Sequence, residues 1–463
     1  MPAYLHKVGG LDPMEIGLKK AGMVPKYIDQ LLIENAKDSF RPILFHKTAL
    51  KNQRVLTDEE AVAGIEGDEF LGPINRRSSA GFGWSKKRER GKLGKSQWLG
   101  TDQEYKLSDD VRDNMAQYTE MASIGIRKPT VFVDTLKDER RPILKVEAGK
   151  TRIFAAGPMD YILVMRKYFL GFMAHVMENR IDNEICVGVN PFGHDWTRLG
   201  KALSEQGDLV FAGDFSNFDG TLNPQILIAC LDLIQEWYGD DHYLLRYTLF
   251  QEIVHSVHIN GKDIYMWTHS QPSGNPLTAV LNSLYNCLSM RICWQLLTEG
   301  TEFNVLDYNK YVKLVAYGDD NVGNVSLTVS DFFNQETITR AYHEIGMTYT
   351  DEAKTGNIVK FRKLHEISFL KRKFVKNNEG YGAPLDLATV LEMSNWIRGD
   401  LDQCESTLDN VSASIQELSL HPLEIFDHYR PLLVEACRRR CNRIPETYSY
   451  ETYKLIGIDK KLF

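Results

Sequence analysis

Two adjacent carboxylates, Asp319 and Asp320, sit in "LVAYGDDNVGNV" between two runs of strand-like composition. A third, Asp214, ends the apolar run "DLVFAGDF", and Asp219 follows five residues later, past a turn. Acidic pairs at hairpin tips commonly do no more than face water, and an ordinary Asx-turn accounts for the Asp214–Asp219 spacing taken alone. The alternative is chemical. If the strand ending in Asp214 lies beside the hairpin, Asp214 and Asp319 face each other on neighbouring strands. Carboxylates gathered in this way repel unless a divalent cation joins them. Oxygen-only donors select hard ions, Mg²⁺ or Mn²⁺. Two such ions about 4 Å apart suit an in-line phosphoryl transfer, one activating the attacking hydroxyl and the other steadying the leaving pyrophosphate.

Other segments could serve the same chemistry. "KDERRPILKVEAGKTR" (137–152) carries Lys137, Arg140, Arg141, Lys145, Lys150 and Arg152, with Asp138, Glu139 and Glu147 interleaved. It reads as a solvated charged face or, in an extended conformation, as a clamp for a triphosphate. Its "GKT" is not the end of a phosphate-binding P-loop, because Leu144 stands where the first glycine of that motif belongs. "SGNPLTAVLNS" (273–283) supplies Ser273, Thr278 and Asn282. Thr278 and Asn282 are four apart and share a helix face, where they could read a sugar hydroxyl; Ser273 could equally be a plain helix cap. Lys354, in "GMTYTDEAKTG", is either an exposed lysine or a general acid for a leaving phosphate. "RRSSAGFGWSKKRERGKLGK" (76–95) is basic and glycine-rich, a solvated loop or a cradle for phosphates.

The elements that must position these residues form an α+β pattern. A strand ends at Asp214, and a helix over 224–238 follows Pro224. A hairpin spans 254–268 with Asn260-Gly261 as its turn, a long helix covers 275–297, and a second hairpin spans 311–325. Residues 366–375 read as one strand with a partner near Gly380-Tyr381, and the chain beyond about residue 385 is polar and helical. The first 125 residues read as loop-rich, without repeats. At 463 residues and 43% hydrophobic composition, two or three packed subdomains are expected. The net charge of −7 argues against a protein that coats nucleic acid, but not against a local basic channel.

Seven scattered cysteines (Cys186, Cys230, Cys287, Cys293, Cys404, Cys437 and Cys441) read as reduced intracellular thiols. His421, His428, Cys437 and Cys441 invite a zinc reading, but their spacing fits no zinc template. No leader is visible in the charged first twenty residues. The most apolar stretch, 161–177, is broken by Arg166, Lys167 and His175 and reads as a buried helix rather than a membrane span.

Each signal is weak alone; their order is not. "DFSNFDG", "PSGNPLTAVLN", "YGDD", "GMTYTDEAKT", "FLKRKF" and the upstream "KDERRPILKVEAGKTR" closely resemble the A, B, C, D, E and F motifs of viral RNA-dependent RNA polymerases, and "SSAGFG" (78–83) looks like their G motif. The resemblance covers about residues 78–375 and is picornavirus-like; "PSGNP" and "YGDDN" point within it to the insect picorna-like, dicistrovirus branch. It implies a closed right hand: fingers at 1–175 and 223–268, palm at 176–222 and 269–381, and a helical thumb at 382–463. It implies two Mg²⁺ or Mn²⁺ ions held by Asp214 and Asp319, with Asp320 beside them.

The same resemblance assigns Asp219 and Asn282, supported by Ser273 and Thr278, to the ribose 2′-OH of an incoming NTP, the group that separates RNA from DNA precursors. It assigns Arg141, Lys145 and Arg152 to the triphosphate, Lys137 to the channel and Lys354 to the general acid. Ser79, Gly81 and Gly274 would touch RNA, and Lys371 and Arg372 would face the product backbone. Implied partners are an RNA template and primer, NTPs, a small genome-linked protein primer and other viral replication proteins, in membrane-associated complexes of the host cytoplasm. Family members often begin with a buried glycine; this chain begins "MPAYL", so no role is transferred to its first residues. A reverse transcriptase is the nearest rival, and would be expected to block the space beside Asp219 and Asn282 with a bulky side chain. A non-catalytic RNA-binding scaffold would tolerate loss of the carboxylates, which are all present here.

Overall fold

The computed structural model describes residues 1–19, 22–354, 359–378, 380–397 and 402–458. At its centre runs the helix Thr278–Leu297, in which every residue from Val280 to Trp294 is buried. A helix covered on all sides belongs in the middle of a core rather than at its surface. It packs on one sheet and against the helices Gln30–Leu44, Pro224–Tyr238 and Gln335–Glu344. It starts at Thr278, three residues later than the sequence suggested, because Asn275 and Pro276 shape a turn whose Asn275 Oδ1 accepts from the Leu277 N–H at 2.9 Å.

In chain order the strands are β1 (Val131–Leu136), β2 (Ile153–Ala156), β3 (Val210–Phe215), β4 (Val257–Asn260), β5 (Asp263–Met266), β6 (Val312–Tyr317), β7 (Asp320–Val325), β8 (Tyr349–Asp351), β9 (Ser368–Phe369), β10 (Arg372–Lys373), β11 (Val375–Asn377) and β12 (Gly380–Gly382). The central sheet has the order β6-β7-β3-β8 and is antiparallel throughout. A second sheet, β2-β1-β4-β5, joins β1 to β4 in parallel and the other pairs antiparallel. The 257–266 hairpin therefore lies outside the sheet that carries the carboxylates. The helical segment after residue 385 has its own apolar core, formed by Val390, Leu408, Val411, Ile415, Leu418, Phe426, Cys437 and Tyr453.

Four expectations are corrected. Asn260 pairs with Asp263, so the first hairpin turns on Gly261-Lys262 rather than Asn260-Gly261. The single strand over 366–375 is two strands and a third: β9 turns into β10 through Leu370 and Lys371, both at positive φ (53° and 62°), and β11 then pairs with β12. Neither residue is a usual turn former, so composition gave no signal of this turn. The segment 137–152 is not extended throughout, since Ile143–Glu147 forms a short helix. The first 125 residues hold two fifteen-residue helices, Gln30–Leu44 and Asp109–Ser123. The 161–177 stretch is the buried helix Met159–Glu178, as expected. Among the described residues no helix is long and apolar enough to cross a membrane.

Candidate active site

β3 pairs antiparallel with β7, Gly213 opposite Asn321, which brings the end of β3 to the tip of the β6–β7 hairpin. Tyr317 pairs with Asp320, so the two-residue tip is Gly318-Asp319 and Asp320 already belongs to β7. The two aspartates thus separate in position. Asp319 stands exposed on the tip; Asp320 is half-buried and accepts a hydrogen bond from the backbone of Leu370, in the β9–β10 turn. The tip is fixed from below by the central helix. Ser283 Oγ accepts from the Gly318 N–H at 2.8 Å, and Asn286 Nδ2 donates to the Gly318 carbonyl at 3.1 Å. Sequence reasoning missed both residues. Their signal was polarity at positions of a helix that is otherwise apolar and fully covered.

The hairpin has a second anchor. Ile185 bridges Ala316 in parallel, with Cys186 N–H donating to Ala316 O at 2.8 Å and Ala316 N–H to Glu184 O at 2.8 Å. Glu184 is itself held by Arg291 of the central helix through two hydrogen bonds of 2.7 and 2.9 Å, both side chains almost wholly buried. A buried pair of this kind adds little net stability, but removing one partner strands the other charge.

Asp214 sits at the end of β3, where Lys354 Nζ lies 2.5 Å from its Oδ2. Lys354 follows β8, which pairs Thr350 with Asp214. The tip carboxylates are held above the usual range. Asp319 keeps an exposed face, yet protein atoms crowd it from behind; that desolvation and the Asp214 charge outweigh the pull of Lys354 and Arg152. Asp320 is pushed up to about 7 by burial first, then by Asp319 and Asp214. Among the described residues no three acidic, histidine or cysteine side chains gather around one point, so the carboxylates form an open edge rather than a closed cage. Their donor chemistry fits a hard divalent ion: oxygen ligands only, charges that disfavour one another, and a cation already drawn to Asp214.

Asp219 lies on a short helical turn, Phe218–Thr221, after β3. Asn282 Nδ2 donates to its Oδ1 at 2.8 Å, and among the described residues Asn282 Oδ1 has no partner. Burial lifts Asp219 to about 6 despite that hydrogen bond, with Asp319 pushing the same way. Ser273 and Asp219 line a common cavity of about 100 Å³. Thr278 does not join them; its hydroxyl is spent on the Asn275 carbonyl at 2.9 Å.

The basic segment is organised by an acid. Arg152 grips Glu139 with two hydrogen bonds, while Arg141 and Lys137 stand 3.6 and 3.7 Å from the same carboxylate. Arg152 also lies within the field of Asp319 and Asp219. Lys145 is exposed on its short helix, and burial, Arg141 and Lys354 lower its pKa while Asp214 raises it. Two expected triphosphate ligands, Arg141 and Arg152, thus converge with Lys137, the expected channel residue, and Glu139, read only as an interleaved acid, is what gathers them. Ala3 N–H donates to the Glu139 carbonyl at 3.0 Å and Arg141 N–H to the Met1 carbonyl at 2.9 Å, so the first residues pair with this segment.

Several expected RNA contacts have other duties. Arg372 does not face outward: it makes a bidentate pair with Glu417 at 2.7 and 2.9 Å, donates to the Ala383 carbonyl and lies over the Phe192 ring. Lys371, on the turn, is exposed. Gly81, at φ +80°, and Gly274 are glycines because a Cβ would fall 2.4 Å from the Gly157 carbonyl and 1.8 Å from the Ala155 carbonyl. Ser79 is exposed, and its Oγ accepts from the Gly81 N–H at 3.1 Å. Cys441 lies against Cys404 across two helices, apart from any cluster of His421 and His428.

The central antiparallel sheet, with its carboxylate-ended strand beside a carboxylate-tipped hairpin, is that of a nucleic-acid polymerase of the right-hand type. Residues 12–437 match the model of the viral RNA-dependent RNA polymerase family, and the chain belongs to that family. It is 41% identical over 449 residues to the replicase polyprotein of Acute bee paralysis virus (strain Rothamsted), covering 94% of this chain and 24% of the polyprotein. It is 40% identical over 468 residues to that of Drosophila C virus (strain EB), covering 96% and 26%, and 40% identical over 436 residues to that of Cricket paralysis virus, covering 89% and 25%. The chain thus spans about a quarter of the length of these curated relatives. A solved structure described as Sicinivirus 3Dpol RNA dependent RNA polymerase superposes with a TM-score of 0.80 at 20% identity, covering 99% of this chain and 92% of that one. The picornavirus-like reading and the right-hand fold expected from the motifs hold. The family's activity is RNA-directed RNA polymerisation, dependent on a divalent metal.

Proposed function

We propose that the chain copies a positive-strand RNA genome, adding NTPs to the 3′ end of an RNA or protein primer on an RNA template. The observation that carries this reading is the meeting of Asp214, at the end of β3, with the Asp319 tip, where Lys354 already sits against Asp214. Asp214 and Asp319, with Asp320 adjacent, would hold two Mg²⁺ or Mn²⁺ ions. When bound, these ions supply activation of the attacking hydroxyl and charge neutralisation at the phosphates. The protein's own groups do the rest. Lys137, Arg141, Lys145 and Arg152 receive the triphosphate, which competes with Glu139 for them. Asp219 accepts from the ribose 2′-OH, and Asn282, with its free Oδ1, completes that recognition together with Ser273. Lys354 is placed to give its proton to the departing pyrophosphate.

In this reading the fingers are 1–175 and 223–268, the palm 176–222 and 269–381, and the thumb 382–463, supported by the separate apolar core of the last segment. The relatives are replicase polyproteins, which favours other viral replication proteins and a small genome-linked primer protein as partners. Host-cell cytoplasmic, membrane-associated complexes are the setting this favours, with membrane attachment supplied by those partners. Primer extension on a defined RNA with Mg²⁺ tests the proposal. NTP incorporation is expected, and clear preference for dNTPs would overturn it.

A further inference from the structure

In a loop whose cations Arg77, Lys86, Lys87, Arg88, Arg90 and Lys92 are exposed and whose buried Arg76 pairs with Asp102 at 2.6 Å, Lys95 is only 4% exposed. Its ammonium donates to the carbonyl oxygens of Asn75 and Ser78, each at 3.2 Å, and to the Ser78 hydroxyl. All three acceptors are neutral. Lys37, buried to the same degree, shows the contrast: it pairs with Glu34 at 3.0 Å and Asp232 at 3.1 Å. Among the described residues Lys95 has no carboxylate partner, and burial lowers it to about 8. A buried charge without a counter-ion is costly, and a neutral donor would serve those acceptors at less expense.

The surroundings are built around this lysine. Its backbone N–H donates to the Arg76 carbonyl at 2.7 Å. Gly94, at φ +54°, lies so close that a Cβ would fall 2.1 Å from that carbonyl. Asn75 Oδ1 accepts from the N–H groups of Arg77 and Ser78 at 3.0 and 3.2 Å, and Ser78 Oγ donates back to the Asn75 carbonyl at 2.9 Å. The 75–78 turn is therefore closed on itself, with the ammonium beneath it and the exposed Ser78 and Ser79 on its outer side.

We infer that Lys95 is a positioning residue for the template: it shapes the Asn75–Ser78 turn from within, and a template phosphate crossing Ser78-Ser79 supplies the counter-charge that the protein withholds. This rests on the polymerase reading above and on the template passing over residues 78–83.

The test uses the full chain with Lys95→Met and Lys95→Arg. Affinity for a primer–template RNA is measured by fluorescence anisotropy between about 50 and 200 mM salt, a range over which phosphate contacts dominate the response. Lys95→Met is expected to weaken binding about fivefold or more and to reduce the slope of log affinity against log salt by about one, the loss of one phosphate contact. Lys95→Arg should keep the slope. Preassembled Lys95→Met complexes should add NTPs with the wild-type kcat, while KM for RNA rises when enzyme and RNA are first mixed at the start of the reaction. A lysine with a merely structural role would lower the melting temperature and leave the slope alone. Unchanged affinity and slope in folded Lys95→Met overturn the inference. If that variant does not fold, Ser78→Ala decides, since it removes one acceptor and is expected to weaken template binding severalfold; unchanged binding overturns the inference. Wild-type RNA synthesis in the same preparation separates the two levels. No product from wild type refutes the polymerase reading, whereas normal synthesis with unaltered binding by Lys95→Met refutes only this role.

Discussion

Lys354 and Asp214 are ion-paired, Nζ to Oδ2, at 2.5 Å, Asp214 on β3 and Lys354 just after the neighbouring edge strand β8. The ammonium sits where a divalent ion held by Asp214 would bind, so lysine and metal would compete for one carboxylate. Lys354→Met is expected to bind Mn²⁺ more tightly than wild type in titration calorimetry of the RNA-free protein. Its rate of nucleotide addition should fall by about a hundredfold, the scale of a lost general acid. Weaker Mn²⁺ binding by the variant would show that the ion pair prepares the site rather than competing for it.

Asp319 and Asp320 are neighbours in sequence with different surroundings: one on the tip, the other in β7 and bonded to the Leu370 backbone. Asp319→Ala should lose about a thousandfold or more in primer extension, as should Asp214→Ala. Asp320→Asn keeps an acceptor for Leu370 and should lose clearly less. Equal losses at both positions would make Asp320 a full partner of the ions.

Asn282 holds Asp219 at 2.8 Å, and Asp219 lines the cavity shared with Ser273. Removing a positioned hydrogen-bonding group costs discrimination between a substrate hydroxyl and its absence. Asn282→Ala should therefore narrow the preference for NTPs over dNTPs by about tenfold, read from the ratio of kcat/KM values. An unchanged ratio would remove Asn282 from ribose recognition.

Much of the site was legible because its residues stand where strands end. Asp214 closes an apolar run and Asp319 lies between two others, so the strand pattern placed both at strand ends, while their meeting depended on the pairing of β3 with β7. Helical spacing linked Asn282 to Thr278, whereas its actual partner, Asp219, was expected only from the resemblance to the polymerase motifs. What stayed hidden depends on long-range partners. Glu139 looked like one acid among cations, and nothing local says that three of them share it. Arg372 looked like an RNA ligand, because Glu417, its partner, lies forty-five residues further on. The β9–β10 turn was invisible since Leu370 and Lys371 adopt positive φ without being turn formers; the burial of Phe369 and Phe374 on either side imposes it.

Arg372 and Glu417 are 13% and 10% exposed at their side chains, so each neutralises a charge that water barely reaches. Arg372→Ala strands the carboxylate and should cost about 3 kcal/mol in denaturant unfolding. Arg372→Met combined with Glu417→Leu removes both charges and should recover most of that loss. If the double variant is as unstable as the single one, packing of the guanidinium over Phe192 rather than its charge pairing with Glu417 accounts for the loss.

Asp320 at about 7, Asp219 at about 6 and the raised Asp319 give the site a pH response of definite sign. Unfolded, such carboxyls titrate near about 4. Between about pH 4 and pH 7 the folded, metal-free protein therefore holds more protons here than the unfolded chain, and these groups make stability fall as pH rises. Melting of the metal-free protein should reflect this, and Asp320→Asn should flatten the pH dependence between about 5 and 7 and raise stability at about pH 8. A divalent ion reverses the balance, because it binds the ionised forms. Mg²⁺ should stabilise the protein little at pH 5.5 or so and clearly at about pH 8. Stabilisation by Mg²⁺ of equal size at both pH values would mean that the ion binds away from Asp319 and Asp320.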